Sequence, residues 1–178
     1  MAKNNITYHF NAPYPDSLRL FHTSADNSDV SKKNTEEKAG VKPRDELKVM
    51  IVDDDPNVLS LAKIMLKHAG FEKIVATNNS FSALKKMQHG LVDIALLDWK
   101  IPNLSGLDVL KTIRAHDIIL PIIMLTSHSD QEHVVEAIKA GATDYIIKPF
   151  NQKILVSKIQ SGLEKALKEK EERELAKI

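Results

Sequence analysis

The sequence predicts an α/β domain built on a five-stranded parallel sheet, doubly wound with helices on both faces. Three observations carry that prediction. Between residues 47 and 150, short apolar runs alternate with segments whose apolar residues recur every three or four positions. This is the pattern of strand–helix–strand units joined by right-handed crossovers. Runs such as Ile122-Ile123-Met124-Leu125 are apolar on both faces, as strands covered above and below should be. Two of the runs also end in acid. Val49-Met50-Ile51-Val52 leads into Asp53-Asp54-Asp55, and Val92-Asp93-Ile94-Ala95-Leu96-Leu97 leads into Asp98.

Each element has its own signal. Leu47–Val52 reads as a buried strand. Pro56 then opens a helix with Val58, Leu59, Leu61, Ala62, Met65 and Leu66 on one stripe, closed by Gly70. Lys73–Thr77 is the second strand, and Ser80 is a candidate cap for a helix carrying Phe81, Leu84 and Met87 as far as Gly90. Asp93–Leu97 is the third strand, followed by a turn from Pro102 to Gly106 and a helix through Leu107, Leu110 and Ile113. Pro121–Leu125 is the fourth. Ser129 or Asp130 can cap the next helix, through Val134, Val135 and Ile138 to Gly141. Asp144–Ile147 is the fifth strand, and Lys148-Pro149 ends it. A last helix carries Ile154, Leu155, Ile159, Leu163, Ala166 and Leu167 at helical spacing, then turns almost wholly charged from Lys168 to Lys177.

Composition narrows the function classes. The chain has 178 residues, with 25 Lys and Arg against 24 Asp and Glu, so no basic excess marks a nucleic-acid-binding protein. Cysteine is absent, which removes disulfides, thiolate nucleophiles and thiolate metal sites. No apolar run reaches the roughly 20 residues of a membrane span, and the N-terminus lacks a secretory pattern. A cytoplasmic protein is the expectation. Residues 1–46 are polar and aperiodic and read as a disordered N-terminal extension, most clearly from Asn27 to Gly40. Within it, Tyr8, Phe10, Tyr14 and Phe21, with Leu18 and Leu20, could form a segment that folds on a partner. Residues 47–168 form the domain, and 169–178 a charged helical tail, either an exposed helix end or a helix that pairs with another chain.

If the two acid-ended strands are parallel neighbours, their carboxylates converge at one edge of the sheet. Clustered carboxylates repel one another unless a cation sits among them. A hard divalent ion such as Mg²⁺ suits oxygen ligands of this kind, and one acid left partly free could attack phosphorus. Taken singly, each residue has a plainer role. Asp53–Asp55 could cap the helix that starts at Pro56, Asp98 and Lys148 could be solvated, Thr126 could bond backbone, and Tyr145 could be a half-buried core residue.

Taken together, Val52-Asp53-Asp54-Asp55-Pro56, Leu97-Asp98-Trp99-Lys100-Ile101-Pro102 with Gly106, Leu125-Thr126-Ser127, and Gly141 to Phe150 resemble the response-regulator receiver domain, in its order and spacing. The resemblance implies a flavodoxin-like fold with strand order 2-1-3-4-5. It implies that Asp98 is the phosphoacceptor, that Asp53 and Asp54 hold Mg²⁺ (or Mn²⁺), and that the backbone carbonyl of Lys100 completes the protein ligands. Thr126 is implied as the hydroxyl that reaches the phosphoryl group, Lys148 as its cationic partner, Tyr145 as the aromatic switch, and the Lys148–Pro149 bond as cis. Trp99 borders the site, and His128, two residues past Thr126, is a candidate modulator of dephosphorylation. A histidine kinase or histidine phosphotransfer protein would supply the phosphoryl group. An unknown downstream protein would read a face comprising Ser129–Lys139, Asp144–Ile147 and the helix from Asn151. A phosphorylation-dependent dimer is allowed.

Three functions remain open to the sequence. One is a stand-alone receiver that binds a partner or relays its phosphate, slow to dephosphorylate itself and not an enzyme. Another is the receiver of a longer regulator with an output domain elsewhere. The third is a Mg²⁺-dependent phosphohydrolase with an aspartyl nucleophile, for which Asp53-Asp54-Asp55 could supply the paired acids, though Asp98–Pro102 would then go unexplained.

Overall fold

The computed structural model describes residues 41–127 and 131–178. The expected disordered extension and its aromatic segment (Tyr8, Phe10, Tyr14, Leu18, Leu20, Phe21), like His128, Ser129 and Asp130, therefore lie outside the described residues, except for residues 41–46. Five strands alternate with five helices: β1 (Lys48–Val52), α1 (Pro56–His68), β2 (Lys73–Thr77), α2 (Ser80–Gln88), β3 (Ile94–Asp98), α3 (Gly106–Ala115), β4 (Ile122–Ser127), α4 (Gln131–Lys139), β5 (Asp144–Lys148) and α5 (Gln152–Leu175). All neighbours in the sheet are parallel, in the order β2-β1-β3-β4-β5.

Two apolar cores flank the sheet. One joins Met50, Ala95, Leu97 and Met124 to α2 and α3 through Ala83, Met87, Leu110 and Ile113, and to Ala137 of α4. The other joins Val49, Ile51, Leu96 and Leu125 to Ala62 and Leu66 of α1 and Leu155, Ile159 and Leu163 of α5. Successive strand residues thus feed opposite layers, and this explains why β3 and most of β4 are apolar on both faces.

The helix starts explain part of the acidic pattern. Asp55 is the cap of α1: its side chain accepts the backbone N–H of Asn57 at 2.8 Å, and Pro56 occupies the first turn. The helix ends at Ala69, and Gly70 takes the left-handed conformation at φ 89° that favours glycine. For α2 the expectation is corrected. Asn79, not Ser80, is the cap, accepting the N–H of Ser82 at 2.9 Å. Ser80 lies inside the first turn, buried, and its hydroxyl faces the carbonyl of Pro102 at 3.4 Å. Ser105 caps α3 by accepting the N–H of Asp108, and it donates its hydroxyl to that side chain at 2.6 Å.

Other differences are at the edges. β3 runs into Asp98 itself and β4 continues through Thr126 to Ser127, because each has a ladder partner there (Asp98 with Leu125, Thr126 with Ile147, Ser127 with Lys148). Packing begins before residue 47. Val41 joins both the α5-side core and the small cluster of Ile119, Ala166 and Leu167. Arg44 donates to the carbonyl of Ala69 at 3.1 Å and lies over the Phe71 ring, and Lys42 pairs with buried Asp93. The apolar stripe of α4 is not a buried one: Val135 and Ile138 are exposed, and among the described side chains of this helix only Ala137 is buried. The charged end of α5 continues the helix without a break and is tied down by Arg173, which pairs with Asp117 of the α3–β4 turn and with Glu169.

Arg114 fastens three segments at the amino edge of the sheet. Its guanidinium donates to the carbonyls of Gly141 (2.8 Å), Ile118 (3.1 Å) and Leu120 (2.9 Å). Burial pushes its pKa below the ordinary arginine value, with the charges of Glu169 and Arg173 as smaller, opposing influences. A lysine ammonium cannot fork to three carbonyls in this way. Arg114→Lys should therefore cost about 1–3 kcal/mol of stability, read as a lower urea midpoint at unchanged slope. An unchanged midpoint would show that the fork is idle.

Candidate functional site

The carboxyl ends of parallel strands all open on one edge of the sheet, and the chain reverses its direction of winding between β1 and β3. Loops diverge at such a point and leave a crevice for a ligand. Because Val52 pairs with Leu97, the next residues on the two strands, Asp53 and Asp98, stand level with each other at this crevice. β5 ends beside them with Lys148, paired to Ser127 of β4.

The ammonium of Lys148 lies between the two acids, 2.7 Å from Asp98 Oδ1 and 2.6 Å from Asp53 Oδ2. The contact to Asp98 is a hydrogen bond. The contact to Asp53 is an ion pair whose angle falls outside hydrogen-bond geometry, which leaves Oδ2 with hydrogen-bonding capacity unused. The other oxygens are held by backbone. Asp53 Oδ1 accepts the N–H of Asp55 at 2.9 Å, and Asp98 Oδ2 accepts the N–H of Lys100 at 3.0 Å. Asp53 is fully buried and Asp98 is nearly so, whereas Asp54 is exposed at the mouth.

Burial pushes the Asp98 carboxyl above the ordinary aspartate value. The hydrogen bond from Lys148 opposes that rise, and the nearby negative charge of Asp53 adds to it. Burial would lower the Lys148 ammonium, but its contacts with Asp53 and Asp98 outweigh that and hold it above the ordinary lysine value. The site therefore holds two buried acids and one base, with a negative charge left over when all are ionised. That surplus favours a further cation. Asp53, Asp54 and Asp98 each present a carboxylate oxygen within 4.8 Å of the others, an all-oxygen set suited to a hard divalent ion.

The remaining expected residues fall around this centre. Thr126 is buried at the end of β4, next to β3, and its hydroxyl donates to the carbonyl of Ser127 over a long 3.4 Å. Tyr145, on β5, is half-buried against the α2/α3 core with the Lys158 ammonium 5.3 Å above its ring. The Lys148–Pro149 peptide is cis. Trp99 follows Asp98 directly. Its N–H donates to the carbonyl of Leu125 and its own carbonyl accepts the N–H of Gly106, both at 3.1 Å. One residue bordering the site escaped the sequence reading. His133 of α4 stacks on the Trp99 ring with centroids 4.2 Å apart, a pairing of residues far apart in sequence that no local pattern signals. Away from the site, at the start of β5, Asp144 is ion-paired to Lys158 and Lys165 of α5. Burial would raise its carboxyl, but the hydrogen bonds and charges around it prevail and hold it below the ordinary value.

Comparison with known proteins agrees with this geometry. Residues 49–160 match the family model described as the response regulator receiver domain. The chain belongs to the receiver family. It is 33% identical over 121 residues to the chemotaxis protein CheY-3 of Vibrio cholerae, covering 67% of this chain and 93% of that one. It is 31% identical to CheY of Pseudomonas aeruginosa, covering 67% and 98%. Among solved structures, a CheY-like receiver domain protein of Methanospirillum hungatei superposes with a TM-score of 0.62 at 31% identity, covering 70% of this chain and 99% of that one. NtrX of Brucella abortus reaches 0.65 at 28% identity, covering 72% of this chain but 29% of that one. The receiver's general role is two-component signalling, and the fold is the one expected of it, five parallel strands in the order 2-1-3-4-5. Among the described residues no helix is long and apolar enough to cross a membrane.

One glycine sets the position of the loop that follows Asp98. A Cβ on Gly106 would meet the backbone carbonyl oxygen of Asp98 at 1.9 Å and the Leu97 side chain at 3.2 Å. Backbone cannot yield there as a flexible side chain would. Gly106→Ala should push α3 away from the end of β3 and cost about 1–3 kcal/mol or more, measured by chemical denaturation. Stability equal to the wild type would mean that this close approach does not constrain the loop.

Proposed function

We propose that this receiver is switched by transfer of a phosphoryl group to Asp98 from a phosphohistidine on a histidine kinase or histidine phosphotransfer protein. The single observation that carries the reading is the placement of Asp98 at a sheet edge, hydrogen-bonded to Lys148 and within reach of two further carboxylates. A carboxylate oxygen of Asp98 attacks phosphorus, the phosphorus–nitrogen bond to the donor imidazole breaks, and the imidazole leaves with its electron pair and takes a proton from solvent. The product is a mixed anhydride, reactive toward water, which suits a signal that must decay without an enzymatic activity of its own.

Transfer of this kind asks for positioning and for compensation of spread negative charge. Lys148 gives up part of its contact with Asp98 and pairs with the arriving phosphoryl oxygens. Lys100 N–H keeps the other Asp98 oxygen oriented. The Thr126 hydroxyl, which makes a long contact to the Ser127 carbonyl, turns to the phosphoryl group. Asp53, Asp54, Asp98 and the Lys100 carbonyl would hold Mg²⁺, or Mn²⁺, which would supply the positive charge that lets a carboxylate accept a dianion.

Movement of Thr126 frees space for Tyr145 to turn inward, altering the face formed by α4, β5 and α5 that a downstream protein reads. Such a switch needs only a few kcal/mol of preference for the phosphorylated arrangement. The expected division is a receiver from about residue 47 to 168, with Asp98 as its one acceptor. The likeness to NtrX, a longer chain matched over 29% of its length, supports the second reading, a receiver that serves a larger regulator.

The test is labelling by acetyl phosphate, a small acyl phosphate donor, followed by mapping of the modified peptide. Wild type should be labelled at Asp98 in Mg²⁺ and lose labelling when a chelator removes the metal. Asp98→Asn should fold and remain unlabelled. Label that persists in Asp98→Asn, or that maps to Asp53 or Asp54, would contradict the proposal.

A further inference from the structure

We infer that His133 is a positioning residue: its stack on Trp99 ties α4 to the loop that carries the acceptor, so that the two move as a coupled pair. The inference rests on the acceptor role of Asp98 proposed above and names the contact that carries its state outward. Three features support it. The rings are 4.2 Å apart between centroids and 12° from parallel, a face-to-face arrangement at close contact and not a glancing edge. Trp99 has its backbone pinned on both sides, to β4 through Leu125 and to α3 through Gly106, so its side chain follows the acceptor loop closely. And α4 is weakly anchored: Val135 and Ile138 face outward at 54% and 47% exposure, leaving Ala137 as its buried described side chain.

A helix with so little buried surface opens and shifts more easily than its neighbours. The stack on Trp99 adds a lateral contact to the packing of Ala137 and Ala140 and the Lys111–Glu136 ion pair. Stacked aromatic pairs carry interaction beyond the area that they bury. A change in the acceptor loop that tilts Trp99 must either move α4 or break the stack, and either outcome changes the equilibrium of α4.

Trp99 is the chain's only tryptophan, so tryptophan fluorescence comes from this residue alone. The experiment compares wild type, His133→Ala and His133→Phe in the full chain, with two readouts. The first is acrylamide quenching of Trp99 without ligand. The second is the change in amide hydrogen exchange of α4 when Mg²⁺ and beryllofluoride, a phosphoryl mimic, are added.

His133→Ala should make Trp99 more accessible to acrylamide. It should also reduce the response of α4 exchange to beryllofluoride by about three- to tenfold, the factor one stacked pair carries. His133→Phe should restore both, which a loss of general stability would not do. Unchanged quenching in His133→Ala, or a full α4 response there, would overturn the inference while leaving the acceptor role intact. A response to beryllofluoride that is missing in wild type, or that survives in Asp98→Asn, would instead overturn the acceptor role and this inference with it.

Discussion

The ammonium of Lys148 between the carboxylates of Asp53 and Asp98 is the contact around which this site is organised. Two buried acids at neighbouring strand ends are an unfavourable arrangement, because burial and like charge both work against ionisation. One cation, 2.6 and 2.7 Å from the two acids, makes the pair tolerable without neutralising it. What is left is a net negative pocket with one exposed acid, Asp54, at its mouth. Such a pocket has a use for a second cation and none for a bare anion. The three carboxylates, each with an oxygen within 4.8 Å of the others, could hold that cation.

The fold supplies this contact from three strands that are not consecutive. Asp53 leaves β1, Asp98 ends β3 and Lys148 ends β5, and the parallel sheet brings the three to one edge. The helices finish the site. Asp55 is diverted from it by capping α1, and the same backbone turn lets its N–H hold Asp53 Oδ1. Gly106 brings the start of α3 against the Asp98 carbonyl. On the opposite edge, Arg114 closes the turns that lead into β4 and β5. Support on most sides contrasts with α4, whose one buried described side chain is Ala137 and which borders the site through His133.

Much of this was legible in the sequence, for physical reasons that also mark where legibility stopped. The strands showed because a doubly covered strand must be apolar on both faces, and the helices because a one-sided helix must repeat its apolar residues near 3.6. The acids showed because a carboxylate directly after such a run has no reason to be there for packing. That the triplet Asp53–Asp55 precedes Pro56 signalled a helix cap there, and Asp55 is the acid that serves as one. Ser80 was misread because Asn79 and Ser80 are both good caps, and only the placement of the Pro102 loop, which engages the Ser80 hydroxyl, decides between them. On α4, periodicity marked Val134, Val135 and Ile138 without showing whether they are covered, and Val135 and Ile138 are exposed. His133 and the packing of Val41, Lys42 and Arg44 left no mark, since their partners lie far away along the chain.

The most direct test of the central electrostatic claim is a carboxyl-carbon NMR titration of Asp98, in the absence of metal, in wild type and in Lys148→Met. Burial and Asp53 raise the acceptor, and Lys148 opposes them. Asp98 in wild type should titrate above the ordinary aspartate range, and in Lys148→Met higher still. An Asp98 that titrates in or below that range, or one indifferent to the loss of Lys148, would contradict the account.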